Sequence, residues 1–283
     1  MHLGARNTWL PFHGTLGSTC GGSDDPPRRN NQQASDANKQ VFHHPEKTSI
    51  RINKYLSSSG FCSRRKADKL IEEQRVSIDG TVATVGAQVS KGQIVQVDGI
   101  QISNTKSHVY IALNKPIGIT CTLETDVEGN ISDFMDYDQH IFPIGRLDKD
   151  SSGLILLTSD GDIVNKLLRA ENNHEKEYVV QVDKDLTPEF IEKMAAGVEI
   201  TNMRTKTRVV TKKSEVKQLG PRSFSIILTQ GFNRQIRRMC TELGYRVLAL
   251  RRERIMNIHL GSLKTGQWRY LSSEELSVLN KMI

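Results

Sequence analysis

Acidic and basic side chains stand close together in the segment GRLDKDSSGLILLTSDGD, which begins at Gly145. Asp148 and Asp150 precede the apolar run 154–157, which predicts a buried strand. Arg146 lies just before them. A carboxylate fixed beside a core strand can act as a nucleophile or stabilise positive charge, but a loop aspartate is more often only a turn residue. On these residues alone, both interpretations remain open.

Other familiar catalytic patterns are missing from the sequence. It contains no HExxH, no P-loop, no GxSxG and no complete dinucleotide fingerprint. The four cysteines, Cys20, Cys62, Cys121 and Cys240, form no CxxC pair and have no histidine at zinc spacing. We therefore predict reduced thiols, a cytoplasmic location and no metal site. No apolar run approaches the roughly 18 residues of a membrane span, so no membrane association is expected.

The composition predicts a globular protein with a basic surface. The chain has 283 residues, 37% of them hydrophobic and 25% charged, and a formal net charge of +7. A basic surface favours a polyanionic partner, most simply a nucleic acid. An ordinary basic surface without such a partner is the alternative.

The chain divides into segments of different composition. Residues 1–48 are polar and aperiodic, so we expect a disordered extension. Residues 49–98 form a small domain, and residues 99–108 a polar linker. Residues 109–283 form a larger domain.

The small domain is predicted to contain helix, turn, helix and hairpin in that order. Ser63 is a suitable N-cap for the second helix, and Ala67, Leu70 and Ile71 form its apolar face. Six basic residues and one acid, Asp68, occur over these two helices. The basic side chains either form a solvated surface or contact a phosphate backbone. They are Arg51, Lys54, Arg64, Arg65, Lys66 and Lys69.

The larger domain mixes strands with amphipathic helices, which predicts an α+β fold with a mixed or antiparallel sheet. Thr187 and Pro188 have the order typical of N-cap and N1. The segment NRQIRRMCTELG predicts a helix ended by Gly244. The predicted strands are Tyr110–Asn114, Leu154–Thr158, Tyr178–Val182, Arg208–Thr211 and Phe224–Leu228.

The first ordered segment, IRINKYLSSSGFCSRRKADKLIEEQRVSIDGTVA, resembles the S4 RNA-binding domain. In that domain a helical pair binds structured RNA. The resemblance covers about residues 50–97.

Four further motifs occur together in one order: NKPxG at Asn114, GRLDxxSxGL at Gly145, KEYxV at Lys176 and GxNRQIRRM at Gly231. They resemble the pseudouridine synthases of the RsuA/RluA class. The C-terminal motifs RRMCxxxGY, RxRIMN and GxWRxL resemble the branch that modifies large-subunit (23S) rRNA. With the S4-like segment, the resemblance covers nearly all of residues 50–283.

This resemblance implies a reaction and a set of catalytic residues. Such an enzyme breaks the N1–C1′ bond of a uridine and rejoins the base through C5, without a cofactor. Asp148 matches the catalytic aspartate, Tyr178 the active-site tyrosine, and Arg237 the basic residue paired with the aspartate. A cation next to Asp148 would keep it ionised. Whether the aspartate attacks C1′ or C6 remains open.

The target base must be flipped out of its stack to be reached. Arginines near the catalytic motifs are candidates for holding the distorted RNA backbone. These are Arg146, Arg234, Arg238, Arg251, Arg252 and Arg254.

Two other functions remain open at this stage. One is a non-enzymatic S4-domain assembly factor, which would not need Asp148, Tyr178 and Arg237 to converge in one pocket. The other is a small-subunit rRNA pseudouridine synthase, since specificity depends on RNA shape. The expected partner in every case is RNA, with 23S rRNA as the first expectation and a tRNA as an additional substrate. The resemblance suggests a monomer.

Overall fold

The computed structural model describes residues 49–103, 108–124, 126–168 and 173–282. The predicted disordered extension, residues 1–48, lies outside the described residues, as do residues 104–107 of the predicted linker.

The first folded unit contains two helices packed on short antiparallel strands. The Ser63 hydroxyl caps the second helix by accepting a hydrogen bond from the Lys66 backbone N–H at 3.2 Å, as predicted. Ile52, Ala67 and Leu70 are buried in the core that the helices form with the sheet. The elements are β1 (Ser49–Arg51), α1 (Ile52–Ser58), α2 (Arg64–Glu72), β2 (Val76–Ile78), β3 (Thr81–Val82), β4 (Gln88–Ser90), β5 (Val95–Val97) and β6 (Ile100–Ile102).

The predicted boundary of this unit at residue 98 is wrong. Strand β6 pairs antiparallel with β5 and forms the edge of a four-stranded sheet. The Tyr55 hydroxyl also donates to the Ile102 carbonyl oxygen at 3.0 Å. Asp98 and Gly99, both with positive φ, make a hairpin turn rather than the end of the domain. The unit therefore extends to residue 102.

The second unit is built on a nine-stranded mixed sheet, which confirms the predicted α+β class. Its main order is β13-β14-β10-β15-β9-β7-β17, with β8 paired to β9 and β16 to β15. The pairing of β15 with β9 is parallel, whereas the other pairs in this sheet are antiparallel. The strands of the unit are β7 (Tyr110–Lys115), β8 (Phe142–Ile144), β9 (Ser152–Thr158), β10 (Lys176–Val182), β11 (Glu199–Asn202), β12 (Thr207–Val210), β13 (Glu215–Gly220), β14 (Ser223–Leu228), β15 (Val247–Ile255), β16 (Ile258–His259) and β17 (Trp268–Tyr270).

Two helix ends of this unit lie where the sequence predicts them. Thr187 caps one helix by accepting from the Phe190 N–H at 3.1 Å, and Gly244, with φ of +79°, follows another. Ile236, Met239 and Cys240 form the buried stripe of that second helix. The helices are α3 (Ile131–Met135), α4 (Gly161–Leu168), α5 (Pro188–Ala196), α6 (Gln235–Glu242) and α7 (Ser273–Met282).

Strand β15 is the principal element that the sequence did not predict. It lies between β10 and β9 and contains the arginine-rich stretch 251–254. Its four consecutive charged residues hide the alternation of buried and exposed positions that is typical of a strand. In the structure, Leu250 and Arg252 are both buried. Tertiary packing therefore overrides the weak local signal for a strand.

Gly153 permits the close parallel approach of β9 and β15. It has φ of +100°, and an added Cβ would lie 2.3 Å from the Arg252 carbonyl oxygen. A side chain cannot be accommodated there, so Gly153 allows the first residues of β9 to lie directly against the central strand β15.

An ion pair joins the two units. The Lys54 Nζ lies 2.6 Å from the Asp162 carboxylate at the start of α4. Lys54 was predicted to contact RNA, but the structure places it between the two domains instead. Because its charge is already paired with an aspartate, it is a weak candidate for binding phosphate.

Candidate active site

A cleft of about 1570 Å³ lies between helix α2 and the central sheet, and we call it the interdomain cleft. Asp148, Tyr178 and Arg237 all contribute to its walls. The wall contributed by the first unit carries cations from α2. Those cations are Arg64, Arg65, Lys66 and Lys69. Asp148, Tyr178 and Arg237 therefore converge in one cleft, as expected of a catalytic site and not of a simple binding module.

Asp148 lies on the turn between β8 and β9. Gly145, with φ of +80°, allows the chain to reverse before it. The Ser151 N–H donates to the Asp148 carbonyl oxygen at 3.0 Å, and the Gly118 N–H donates to the Lys149 carbonyl oxygen at 2.8 Å. The second bond ties the turn to the NKPIG segment. The Asp148 side chain is held at the cleft with 28% of its surface exposed.

Arg234 forms a two-pronged ion pair with Asp150. Its Nη1 donates to Oδ1 at 2.9 Å and its Nη2 to Oδ2 at 2.8 Å. The same guanidinium lies 3.8 Å from the Asp148 carboxylate. Arg234 occupies the N-cap position of α6 with φ of +51°, which directs it towards the GRLD turn. It was predicted to contact phosphate, but in this structure it binds the GRLD turn.

The predicted pairing of Arg237 with Asp148 is not present. Arg237 Nη2 instead donates to the Asp150 carbonyl oxygen at 2.8 Å and to the Ser151 hydroxyl at 3.1 Å. Its Nε lies 3.5 Å from the Asp150 carboxylate. Arg237 is the third residue of α6, and from there it reaches the backbone of the turn rather than the Asp148 carboxylate.

These arginines also set the charge of Asp150. The hydrogen bond from Arg234 is the largest influence on the pKa of Asp150 and lowers it, and the charges of Arg237 and Arg234 act in the same direction. Partial burial opposes them. Asp150 is therefore a permanent anion at neutral pH that holds both arginines beside the turn.

Tyr178 lies on β10 opposite Arg252 of β15. Its ring packs against apolar residues of the core, and its centroid lies 6.0 Å from the Arg252 guanidinium carbon. The ring therefore presents an aromatic surface in the cleft wall on which a nucleobase can stack.

Comparisons with known proteins agree with this geometry. A family profile described as RNA pseudouridylate synthase matches residues 109–242, and an S4 domain profile matches residues 50–95. The dual-specificity RNA pseudouridine synthase RluF of Escherichia coli is 52% identical over 238 residues, which are 83% of this chain and 80% of RluF. The chain belongs to the RNA pseudouridylate synthase family.

Two further relatives of this pseudouridine synthase support the same assignment. Ribosomal large subunit pseudouridine synthase B of Bacillus subtilis is 33% identical over 235 residues, which are 82% of this chain and 96% of that protein. A crystal structure of a pseudouridylate synthase aligns with a TM-score of 0.59 and 26% identity, over 83% of this chain and 100% of that chain. The predicted order of an S4 domain followed by an α+β synthase domain is confirmed.

The predicted RNA-contact residues of the synthase separate into two groups. Those on α2 and the GRLD turn are exposed and line the cleft, and they stay candidates for phosphate contacts. They are Arg64, Arg65, Lys66, Lys69 and Arg146. Arg51 is exposed as well, but it does not line the cleft.

The second group is engaged within the protein. Arg238 donates to the Thr201 carbonyl oxygen at 2.7 Å, and Arg251 is paired with the adjacent Glu253 on the same strand. Arg254 forms ion pairs with two glutamates of the β10 region, which occupy its charge. Arg252 is buried. The predicted contact of residues 251–254 with the RNA backbone stays a prediction, but these residues lie within the central strand β15 and are engaged there.

Sequence reasoning missed two lysines near the catalytic turn. Lys115 is fully buried and donates to the carbonyl oxygens of Pro116 at 2.7 Å and Ile119 at 2.9 Å. Lys176 lines the cleft and donates to the His174 carbonyl oxygen at 3.0 Å. Burial lowers the pKa of both lysines. Their positions in the NKPxG and KEYxV motifs were the available signal.

No helix in the described residues is long and apolar enough to span a bilayer. Within the same residues, no three histidine, cysteine, aspartate or glutamate side chains group as a metal site. Cys62, Cys121 and Cys240 are buried free thiols.

Proposed function

We propose that this synthase converts a specific uridine of 23S rRNA into pseudouridine, with Asp148 as the nucleophile, and that a tRNA is its second substrate. The observation that carries the proposal is the convergence of Asp148, Tyr178 and Arg237 in one cleft with the cations of α2. The names of two relatives support these substrates. One is called dual-specificity and the other a ribosomal large subunit enzyme.

The reaction is an isomerisation, so it balances without an oxidant, a reductant or a transferred group. The N1–C1′ bond of the uridine breaks and a C5–C1′ bond forms, while C5 loses a proton and N1 gains one. A carboxylate can assist by attacking C1′ or C6. Asp148 has the required access because its side chain is partly exposed in the cleft.

The neighbouring residues position this carboxylate and the base. Arg234 places a positive charge 3.8 Å from the Asp148 carboxylate. Arg237 holds the turn through the Asp150 backbone and Ser151. Tyr178 provides the aromatic surface on which the detached base can stack while it rotates. Its hydroxyl would lie near the proton that leaves C5.

The S4 domain provides a separate surface for the RNA. Its cations line the same cleft as the catalytic turn, so one RNA could occupy both surfaces with the flipped nucleotide between them. We propose residues 49–102 and 108–283 as the two functional domains. We also propose that the enzyme acts as a monomer in the cytoplasm, where ribosomal RNA is modified.

The test is a map of pseudouridine in rRNA and tRNA from a strain that lacks this gene. We expect one or more sites in 23S rRNA to lose pseudouridine, wild-type protein to restore them and Asp148→Asn to leave them unmodified. Loss of pseudouridine only in the small-subunit rRNA would identify the alternative substrate. An unchanged map would contradict the proposed function.

A further inference from the structure

Arg252 occupies a buried position between the catalytic turn and Tyr178. It is 2% exposed, yet it contributes to the wall of the interdomain cleft. Its guanidinium carbon lies 6.0 Å from the centroid of the Tyr178 ring. Strand β15 therefore directs this arginine towards the space in which a base stacked on Tyr178 would lie.

The guanidinium of Arg252 is held by backbone oxygens on both sides of the turn that carries Asp148. Nε donates to the Leu154 carbonyl oxygen at 2.7 Å, and Nη1 lies 3.4 Å from the Arg146 carbonyl oxygen. Nη2 is buried and has no hydrogen-bond partner among the described residues. A buried donor without an acceptor is costly, so its retention needs an explanation.

The charge of Arg252 is likewise uncompensated. In the described part of the chain its hydrogen bonds go to backbone oxygens and not to a carboxylate. Arg254, two residues along, is bound by Glu175 and Glu177 at 3.0 Å each. The positive charge of Arg252 also contributes to the lowered pKa of Lys115 and Lys176, for which burial is the main cause. A buried positive charge with other positive charges nearby favours the binding of a group that carries negative charge.

We infer that Arg252 donates from Nη2 to a carbonyl oxygen of the target uracil and stabilises the negative charge that the base acquires during isomerisation. This inference rests on the proposed function. If C1′ is attacked, the electron pair of the N1–C1′ bond stays with the base and is shared with O2 and O4. If C6 is attacked, the C5–C6 pair moves towards C5 and O4. Both routes place charge on a carbonyl oxygen.

Preorganised donors at the site of developing charge are among the largest contributors to catalysis. Arg252 has this character because two backbone bonds fix its plane before substrate binds. A phosphate is a poorer ligand for it, since Arg252 as a residue is only 2% exposed and is not open to a bulky group on the RNA backbone. The burial therefore favours the planar base over the phosphate.

Arg252→Gln tests the inference in single-turnover release of tritium from C5-labelled 23S rRNA. We expect the rate at saturating enzyme to fall by about 10²–10³-fold, the range seen when an oxyanion donor is removed. RNA affinity should stay within about twofold, because the donor acts on charge that forms after binding. The matched control is Arg208→Gln, an exposed arginine bound by Glu199 and Glu242, which should react at the wild-type rate.

A second measurement separates direct binding of the base from a structural role. The target uridine is replaced by 2-thiouridine or 4-thiouridine in a stem-loop that contains the mapped site, because sulfur is a weaker acceptor than oxygen. One of the two thiouridines should slow the wild-type enzyme. It should not slow Arg252→Gln further, because the variant has already lost the hydrogen bond to that atom. Such non-additivity is expected of two groups in direct contact. Arg252→Lys, which retains the charge, gives the same measurement if the glutamine variant does not fold.

Each remaining outcome overturns the inference. Additive effects of both thiouridines with the variant would make Arg252 structural. Weaker RNA binding, with an unchanged rate at saturating enzyme, would show that Arg252 binds a phosphate. An unchanged rate and affinity would remove any role in the reaction. If the wild-type enzyme itself modifies no RNA, the proposed function fails first and the inference fails with it.

Discussion

Arg234 binds both carboxylate oxygens of Asp150, at 2.9 and 2.8 Å, and the same guanidinium lies 3.8 Å from Asp148. The two aspartates of the GRLD turn therefore have different neighbours. The Asp150 carboxylate is paired with Arg234, whereas the Asp148 carboxylate faces the cleft. This difference supports the proposed roles, in which Asp150 positions the turn and Asp148 is the nucleophile.

We expect Asp148→Asn to lower isomerisation by at least about 10³-fold, as for other enzymes that lose a nucleophile. RNA affinity should change little, because the removed charge is a single carboxylate in the cleft. Tritium release from C5-labelled rRNA measures the rate. Asp150→Asn is the matched variant in the same turn, and its loss should be far smaller. A rate for Asp148→Asn within about tenfold of wild type, or about 1.4 kcal/mol in the barrier, would eliminate Asp148 as the nucleophile.

We expect RNA binding to weaken when the cations of α2 are replaced together by alanine. The variant changes Arg64, Arg65, Lys66 and Lys69, all exposed at the cleft. The slope of log affinity against log salt should become shallower by about 0.7–0.9 for every phosphate that is no longer neutralised. Turnover at saturating RNA should remain near normal, because the catalytic turn lies in the other domain.

The control for this variant replaces four exposed lysines that do not line the cleft. They are Lys206, Lys213, Lys217 and Lys264. Filter binding over a range of salt concentrations compares the two variants. Equal decreases in affinity and slope would show that general charge, and not the α2 surface, binds the RNA.

Gly153→Ala should destabilise the synthase domain by about 3 kcal/mol, from backbone strain and overpacking together. The new Cβ would lie 2.3 Å from the Arg252 carbonyl oxygen at a φ of +100°. Gly80→Ala is the control, since Gly80 has φ of +81° with no atom within 4 Å of the added carbon. It should cost only the strain of positive φ, about 1–2 kcal/mol. If both variants shifted the midpoint of urea unfolding equally, β9 and β15 would have to move apart to accommodate the new Cβ.

The ion pair of Asp150 should make a small, pH-dependent contribution to stability. Because the folded-state pKa is lowered, mainly by Arg234, this contribution is complete above the unfolded pKa of about 3.9 and is lost as the pH falls through the folded value. Asp150 is about half exposed, so we expect less than about 1 kcal/mol at neutral pH. Urea unfolding of wild type and Asp150→Asn should differ at pH 6, and the difference should shrink as the pH falls below about 3.9. A difference that stays constant over this range would contradict the assignment.

Local sequence patterns predicted the helices that have clear caps or apolar faces and four of the nine strands of the main sheet. Ser63 and Thr187 cap helices because a side-chain oxygen can satisfy a free N–H three residues later, which is a short-range interaction. The apolar run 154–157 forms a buried strand because every one of its side chains can enter the core. The edge strand β6 and the central strand β15 were not predicted. Strand β6 has only three residues, and consecutive charged residues interrupt the apolar pattern of β15.

The sequence by itself determined the chemical class of this protein, because the GRLD, KEYxV and NRQIRRM motifs carry Asp148, Tyr178 and Arg237. Only the tertiary structure decided which charges meet. Arg234 rather than Arg237 approaches Asp148, and Arg252, one of a run of charged residues, is buried at the cleft. The physical reason is that a motif specifies residue types along the chain, whereas a hydrogen bond or an ion pair requires a few ångströms of proximity. That proximity arises only when β9, β15 and α6 pack together.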